Sequence, residues 1–447
     1  VQVPFAKDSY TSSVPVNWYA AADTDKQVIL MGAPGTKVIT GLPTAGEVRG
    51  LRVGGNFLYA VCGNKALRIT STCNVTVLGT ISTFTGKVWI EYNGVQVCFV
   101  DGQDAWVYTM ATNTFSIITD ADFPGAAALT YQDGYGAFIN PNTGQFWLTG
   151  LYDFTSITAT DYASAEGWPD NLVSIMMNYR ELWLFGSETI EVWYNAGSTF
   201  PFARIQGGLI EQGCIAPASV AKGDNVVYWL AGTRQVMIGK GYQPQIISTR
   251  KMEREIEQFD TVSDAIAWFQ VFEGHSFYWL TFPTANKTYV YDAATQVWHK
   301  RASWPDQDRH RANCYAYFNG KHVVGDYLNG NLYEMSRNYY DDDGYELIAE
   351  VESPEIRSEG KRQFFTGLEV QFNRGDLAVT TDPAAILSWS NDSGKTWSNE
   401  LSAGMGNVGE YTARSIWRRL GSGYNRIFKL KVSDPVSRDI LSVNWLP

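Results

Sequence analysis

Seven times along this chain, short strands rich in aromatic and β-branched residues flank a turn built on glycine, asparagine or aspartate. Each unit reads as a β-hairpin, because these turn residues tolerate the positive φ that tight hairpins demand. Strands 57–62 and 66–69 meet across Gly63-Asn64, 95–100 and 105–108 across Asp101-Gly102, and 137–139 and 145–148 across the turn ending at Gly144. Strands 182–185 and 189–194 flank Gly186-Ser187, 226–230 and 235–238 flank Gly232, 277–282 is followed by 288–291, and Asn319-Gly320 with Asn329-Gly330 punctuate the last unit. The opening turns at Gly55, Asn93, Asp133, Tyr179, Asp224, Gly274 and Gly320 are 38, 40, 46, 45, 50 and 46 residues apart. Four short antiparallel strands with their turns fill about 40–50 residues in a propeller blade.

The expected fold is therefore all-β: a β-propeller of six or seven blades, with an additional β-rich platform domain from the termini. A ring is preferred to an open stack of hairpins because closure removes exposed strand edges. Aromatic residues at 14%, charged residues at only 18% and 41 glycines fit many short strands and tight turns. Leu182 and Leu184 alternate with Trp183 and Phe185, the pattern of a strand buried on both faces. One helix is expected, capped by Ser248-Thr249, with Met252, Ile256 and Phe259 on its apolar side and Glu253, Arg254, Glu255 and Glu257 toward water.

Three domains are read: 1–45, an N-terminal arm contributing to the platform; 46–340, the propeller; and 341–447, a C-terminal β domain with one Asp-box hairpin. The last boundary rests on Asp341-Asp342-Asp343-Gly344, taken as a solvated turn because the alternating ligand spacing of a calcium loop is missing.

The net charge is −11, and it is unevenly spread: residues 1–344 hold 23 Lys+Arg against 33 Asp+Glu, residues 345–447 hold 12 against 13. An acidic repeat region disfavours tight groove binding to nucleic acid, while transient, non-specific contact with double-stranded DNA remains compatible with it. The C-terminal cations Arg414, Arg418, Arg419, Arg426, Lys429 and Lys431 are expected to neutralise an acidic neighbour at a subunit interface. Five cysteines, Cys62, Cys73, Cys98, Cys214 and Cys314, contain no CxxC pair and read as reduced, mostly buried thiols. The sequence gives no expectation of a signal peptide or membrane span, since it has neither a basic-then-apolar start nor an 18-residue apolar run.

Chemistry-bearing motifs are sparse. His275, His299, His310 and His322 form no metal-binding spacing, and no phosphate-binding glycine loop precedes a helix. No catalytic, cofactor-binding or metal-binding residues are assigned, and no cofactor is expected. A glycosidase needs a carboxylic acid of raised pKa and a partner at set separation. Glu166, Asp170, Glu188, Glu191 and Glu211 are candidates only by type. Exposed tryptophans such as Trp168, Trp304 or Trp417 would serve a glycan-binding module. Ser390-Asn391-Asp392-Ser393-Gly394-Lys395-Thr396-Trp397 fits the Asp-box S-x-D-x-G-x-T-W and resembles those of sialidases and related propellers. In that motif the aspartate closes a hairpin turn on backbone amides, a fold-stabilising role.

Over nearly its whole length the chain resembles the packaged-DNA stabilisation proteins of short-tailed bacteriophages, also described as tail hub or nozzle proteins. The resemblance rests on ordered phrases: Pro4-Phe5-Ala6-Lys7-Asp8-Ser9-Tyr10, Gly167-Trp168-Pro169-Asp170, Leu182-Trp183-Leu184-Phe185-Gly186-Ser187-Glu188, Gly207-Gly208-Leu209-Ile210-Glu211-Gln212, Gly274-His275-Ser276-Phe277-Tyr278 and Tyr289-Val290-Tyr291-Asp292. It implies a structural virion protein without catalytic residues, forming a homo-oligomeric ring, a hexamer, at the tail end of the DNA channel. It further implies attachment to a head-to-tail adaptor protein and to tail fibre, spike or needle proteins. The ring would retain packaged DNA until ejection, after assembly in the host cytoplasm.

Overall fold

The computed structural model describes residues 14–22, 28–165, 167–357, 360–373, 383–407, 409–410 and 413–446. The phrase from Pro4 to Tyr10 and the carboxylate of Glu166 lie outside them. Two compact units emerge: Val38–Asn286 with Arg311–Glu334, and Val1–Lys37 with Lys287–His310 and Met335–Pro447.

Seven four-stranded antiparallel sheets follow one another along the chain. The first, blade I, runs Val48–Gly54, Phe57–Cys62, Lys65–Ile69, Val75–Thr80. The innermost strands of blades II to VII are Trp89–Tyr92, Leu129–Gln132, Leu172–Asn178, Ala221–Gly223, Ile266–Phe272 and Ala312–Phe318. Each innermost strand touches those of both neighbouring blades, and Ala312–Phe318 returns against Val48–Gly54, so the ring is closed with seven blades. Gly35–Gly41, inside the expected 1–45 arm, supplies the outer strand of the seventh sheet.

Every blade opens with a short turn between its first two strands. In five blades both turn residues have positive φ, as in the type I′ geometry that matches strand twist: Asp133-Gly134, Tyr179-Arg180, Asp224-Asn225, Glu273-Gly274 and Asn319-Gly320. Neighbouring blades then close on apolar clusters. Leu182 and Leu184 pack with Ala137, Ile139 and Phe146 of blade III, whereas Trp183 and Phe185 pack with Val227 and Trp229 of blade V. Blades I and VII share Leu58, Ala60, Leu67, Val323 and Leu332. Each cluster belongs to two blades, which makes a blade's stability depend on its neighbours.

Two local expectations need correction. Residues 153–170 and 195–215 are long, contain glycine and carry little strand signal, so by sequence they read as loops at the channel or at subunit contacts, yet Asp153–Ser164 and Phe202–Ile210 are the outer strands of blades III and IV. Their alternating, half-exposed faces dilute the apolar signal that marks inner strands. The helix Arg250–Glu257 forms as expected, with the Thr249 hydroxyl accepting from the Met252 amide and with Met252 and Ile256 buried. Glu253, however, turns inward: its Oε1 accepts from Gln235 at 3.1 Å and from the Ser248 hydroxyl at 2.9 Å.

In the other unit two sheets form a β-sandwich. One orders Trp18–Ala22, Val28–Gly32, Ile440–Leu446, Gly367–Phe372 and Ser415–Arg418; the other orders Ala349–Glu352, Asn425–Val432, Ala384–Ser390 and Leu401–Gly404. Their shared core runs from Trp18 and Leu30 through Val370, Leu387 and Trp417 to Phe428 and Val443. Both ends of the chain are thus needed for one core.

The aspartate run is not a solvated turn. Asp342 is buried and accepts from the hydroxyls of Thr36 at 3.0 Å and Ser303 at 3.2 Å. The buried guanidinium of Arg438 donates to the carbonyls of Leu347 and Tyr340, and buried Arg301 donates to the carbonyl of Pro34 at 2.8 Å. Asp439 accepts from the Gly32 amide at 2.7 Å and pairs with Arg337 at 2.5 Å. Burial pushes the Asp342 carboxyl up and both arginines down to about 10, although their opposite charges offset part of that cost.

Candidate functional site: axial channel and hairpin tips

In a propeller the innermost strands line an axis, and here that axis carries cations in an otherwise acidic protein. Arg52 of blade I and Glu91 of blade II form an ion pair at 2.7 Å. Burial raises the Glu91 carboxyl, with Arg52 and then Lys222 pulling it back. Lys222 donates to the Met177 carbonyl at 2.7 Å, and burial lowers its ammonium. Lys87, just before the innermost strand of blade II, donates to the Ala218 carbonyl at 3.3 Å. Ala218 immediately precedes the innermost strand of blade V, three blades away, as far across as seven blades permit. This contact bridges the axis at one end. Burial lowers the Lys87 ammonium to about 8. At this end, side chains reach across the axis of one propeller.

The turns that open the blades all lie at one end of the ring, with the turns joining third and fourth strands. Val95, Leu151, Tyr152, Tyr179 and Tyr194 are exposed there on blades II, III and IV. Polar contacts weld these tips together. Asn93 donates to the Tyr152 carbonyl at 3.0 Å, Arg180 pairs with Asp133 at 3.1 Å, and Asn195 donates to Asp133 at 3.2 Å. Tyr152 and Tyr179 hold φ of 59° and 49°, although each is about 60% exposed. A non-glycine residue held in the left-handed region without burial marks strain retained by its surroundings. The sequence marks these turns, Tyr179 among them, but Tyr179-Arg180, standing where asparagine or glycine is usual, gives no sign that exposed aromatics gather on them.

The carboxylates singled out by type are occupied structurally. Asp170 accepts from the amides of Glu188 at 2.7 Å and Thr189 at 3.0 Å, capping the turn of blade IV. Glu191 is buried, accepts from the Gly167 amide and from Trp193 Nε1 at 2.9 Å, and stands 3.5 Å from Arg204. Glu188 and Glu211 are exposed. The histidines are dispersed: His310 Nε2 lies 3.3 Å from Arg301, His322 Nδ1 lies 2.9 Å from the Tyr315 hydroxyl, His299 is beside Tyr19, and His275 stacks on Phe277. Among the described residues no group of three His, Cys, Asp or Glu could hold a metal ion, and no helix is long and apolar enough to cross a membrane. All five thiols are free; Cys62, Cys98 and Cys214 are buried, Cys73 and Cys314 partly so.

Three of the six C-terminal cations, Arg414, Arg426 and Lys429, meet groups of their own chain where an acidic neighbour was expected. Arg426 is buried with its guanidinium 4.4 Å from the Phe365 ring centre and donates to Asn391 at 2.8 Å. Lys429 pairs with Glu350 at 3.1 Å and Glu352 at 3.2 Å, and Arg414 with Glu369 at 3.2 Å. Lys431 is half-buried; Arg418 and Arg419 stay exposed. The Asp-box closes as a turn: Asp392 Oδ1 accepts from the Lys395 amide at 3.0 Å and the Thr396 amide at 2.8 Å, and Gly394 takes a φ of 90°.

Comparison with known proteins agrees with this architecture. No curated protein matches the chain. Among solved structures it is similar to the WD40 domain of Neurospora crassa Pan2, at 8% identity and TM-score 0.46, over 68% of this chain and 96% of that one. It is also similar to the extracellular domain of a putative one component system, BT4673, from B. thetaiotaomicron, at 12% identity and TM-score 0.45, over 96% of this chain and 62% of that one. Both scores are too low to carry any assignment. Residues 3–340 match the family described as Bacteriophage P22 Gp10, beta-propeller, and residues 349–444 match Bacteriophage P22 Gp10, beta-sandwich. With both halves matched in order, the chain belongs to the Bacteriophage P22 Gp10 family of phage stabilisation proteins, structural components of the virion.

Proposed function

We propose that this chain is a subunit of the tail hub, or nozzle, of a short-tailed phage, a ring that extends the DNA channel and retains packaged DNA until ejection. The observation that carries this reading is the ordered match of propeller and sandwich to one phage stabilisation protein. The axial bridge from Lys87 to Ala218 supports it by exclusion: a duplex must pass through a lumen formed between copies, not through one propeller. A ring of copies, six in our reading, supplies that lumen, and its acidity favours sliding over binding. We assign the aromatic hairpin tips of blades II to IV to contact with a neighbouring copy, since contiguous exposed apolar residues mark association surfaces. The head-to-tail adaptor protein and fibre, spike or needle proteins are the further partners. As domains we propose 1–45, 46–340 and 341–447, with the arm shared between sandwich and seventh blade.

The role is non-enzymatic. Native mass measurement of the chain mixed with its tail adaptor tests the ring: a sixfold assembly is expected, and a chain that stays monomeric under those conditions overturns the reading. Particles assembled without the protein should lose their DNA on storage.

A further inference from the structure

Beside the turn that joins the second and third strands of blade III lies a cavity of about 510 Å³, within the range of small-ligand sites. Its lining includes Thr143, Gln145, Ser164, Trp168, Asp170 and Asn171. Trp168 is 56% exposed at its rim, so this indole contributes to the wall while leaving much of its surface to solvent. The other tryptophans considered for glycan stacking differ: Trp417 is buried with Nε1 donating to the Leu401 carbonyl at 2.8 Å, and Trp304 lies outside this cavity.

One lining group is a carboxylate, Asp170, and both its oxygens already accept hydrogen bonds from the Glu188–Thr189 turn. Thr143 and Gln145 are partly engaged in their own turn, the Thr143 hydroxyl accepting from the Gln145 amide at 3.1 Å and Gln145 Oε1 accepting from Asn140 at 3.2 Å. The Asn171 carboxamide and Ser164 hydroxyl retain hydrogen-bonding capacity for a ligand, each able to donate and accept. One step along the same pair of strands, Trp147 and Tyr162 stack at 4.9 Å, and Tyr162 remains exposed.

An indole face beside groups that both donate and accept, with the one lining carboxylate engaged in a turn, matches the C–H face and hydroxyls of a neutral sugar ring better than an anionic phosphate. We propose that the Trp168 cavity is a subsite for a neutral hexose of a surface polysaccharide, with Trp168 stacking on the ring and Asn171 and Ser164 reading its hydroxyls. Stacking on a single partly exposed indole gives a weak contact that gains strength by repetition around an oligomer.

Saturation-transfer NMR on the full chain, with methyl α-glucoside, methyl α-galactoside, methyl α-mannoside and methyl α-rhamnoside at millimolar concentration as probes, tests this. Transfer to ring C–H protons of at least one probe is expected, with affinity about tenfold weaker in Trp168→Ala and largely kept in Trp168→Phe. Asn171→Ala should weaken the same probe, which keeps the test informative if Trp168→Ala does not fold. No transfer to any probe, or transfer unchanged in Trp168→Ala and Asn171→Ala, overturns the proposal. Loss of ring assembly in Trp168→Ala without saccharide contact in the parent also overturns it and makes the cavity a protein contact. The tail-hub reading stands or falls separately, on the mass of the assembly.

Discussion

The propeller and the sandwich solve the same problem, a buried arginine, in opposite ways. In the ring, Arg49 is buried and gives its guanidinium to the carbonyls of Gly63, Thr83, Thr85 and Gly86 and the Thr83 hydroxyl, all within 37 residues of it. In the other unit, Arg438 and Arg301 reach carbonyls at Leu347, Tyr340 and Pro34, 91 or more residues away, and share Asp342 as counter-charge, whereas buried Arg426 finds Leu420, Ser422 and Asn391 within 35 residues. A repeat satisfies its polar groups locally, blade by blade, so a fault is contained by neighbours. A sandwich assembled from both termini adds to such local contacts, as at Arg426, a few distant ones at Arg438 and Arg301, and loop-closure entropy opposes each of these. The ring should therefore yield gradually and the sandwich abruptly.

Removing a sandwich arginine tests this most severely. Arg438→Met leaves the carbonyls of Leu347 and Tyr340 without their donor and withdraws one of the positive charges facing Asp342 and Asp439 in a buried setting, which costs about 3–5 kcal/mol. Calorimetry should show the sandwich transition lowered strongly or lost, with the ring transition unmoved. Equal displacement of both transitions would break the contrast.

A ring fault comes next. A Cβ on Gly223, in the innermost strand of blade V, would stand 2.0 Å from the Phe269 ring of blade VI. Gly223→Ala should cost about 1–3 kcal/mol by overpacking. Hydrogen exchange should accelerate in blades V and VI while blades I and II keep their protection. Uniform acceleration around the ring would mean that blades do not contain a fault.

The same contrast explains what the sequence made legible. Glycine, asparagine and aspartate at hairpin turns are local chemistry, so the blade spacing and the two-sided burial of Leu182 to Phe185 could be read residue by residue. Blade count could not, because the innermost strand of blade V is only Ala221–Gly223 and the seventh sheet borrows Gly35–Gly41 from upstream. Asp342 looked like a solvated turn because its partners Thr36 and Ser303 lie 306 and 39 residues away. The Arg414–Lys431 cations looked like an interface because strand alternation, which buries Arg426 and pairs Lys429 with Glu350 and Glu352, needs a sheet register that composition does not supply. At the hairpin tips, strain rather than residue type carries the signal, and strain is invisible in a sequence.

That strain gives a smaller prediction of opposite sign. Replacing Tyr179-Arg180 by Asn-Gly supplies residues suited to positive φ at both positions. The ring should gain about 1 kcal/mol, less whatever the exposed Arg180–Asp133 pair contributes. If the tips serve contact between copies, the stabilised variant should assemble less well. A gain in stability with assembly unchanged would sharpen the contrast to one of folding alone and move the contact surface elsewhere.

The smallest effect belongs to an exposed turn where the C-terminal domain uses ring-like local chemistry. The Asp392 carboxyl is held well below its usual range, first by the Thr396 hydroxyl, then by the Thr396 amide and the Ser390 hydroxyl. A depressed carboxylate contributes stability above its unfolded value, near 4, and loses it as pH falls toward the folded value. Asp392→Asn should therefore lower the sandwich transition slightly at neutral pH, and the gap from the parent should close as the solution is acidified below about pH 4. Because the turn is exposed, its donors can turn to water, so the loss should stay well below that of Arg438→Met. A gap that persists at low pH would mean that Asn fails for shape and not for charge, and the Asp-box would then join the arginine network as a long-range support of the sandwich.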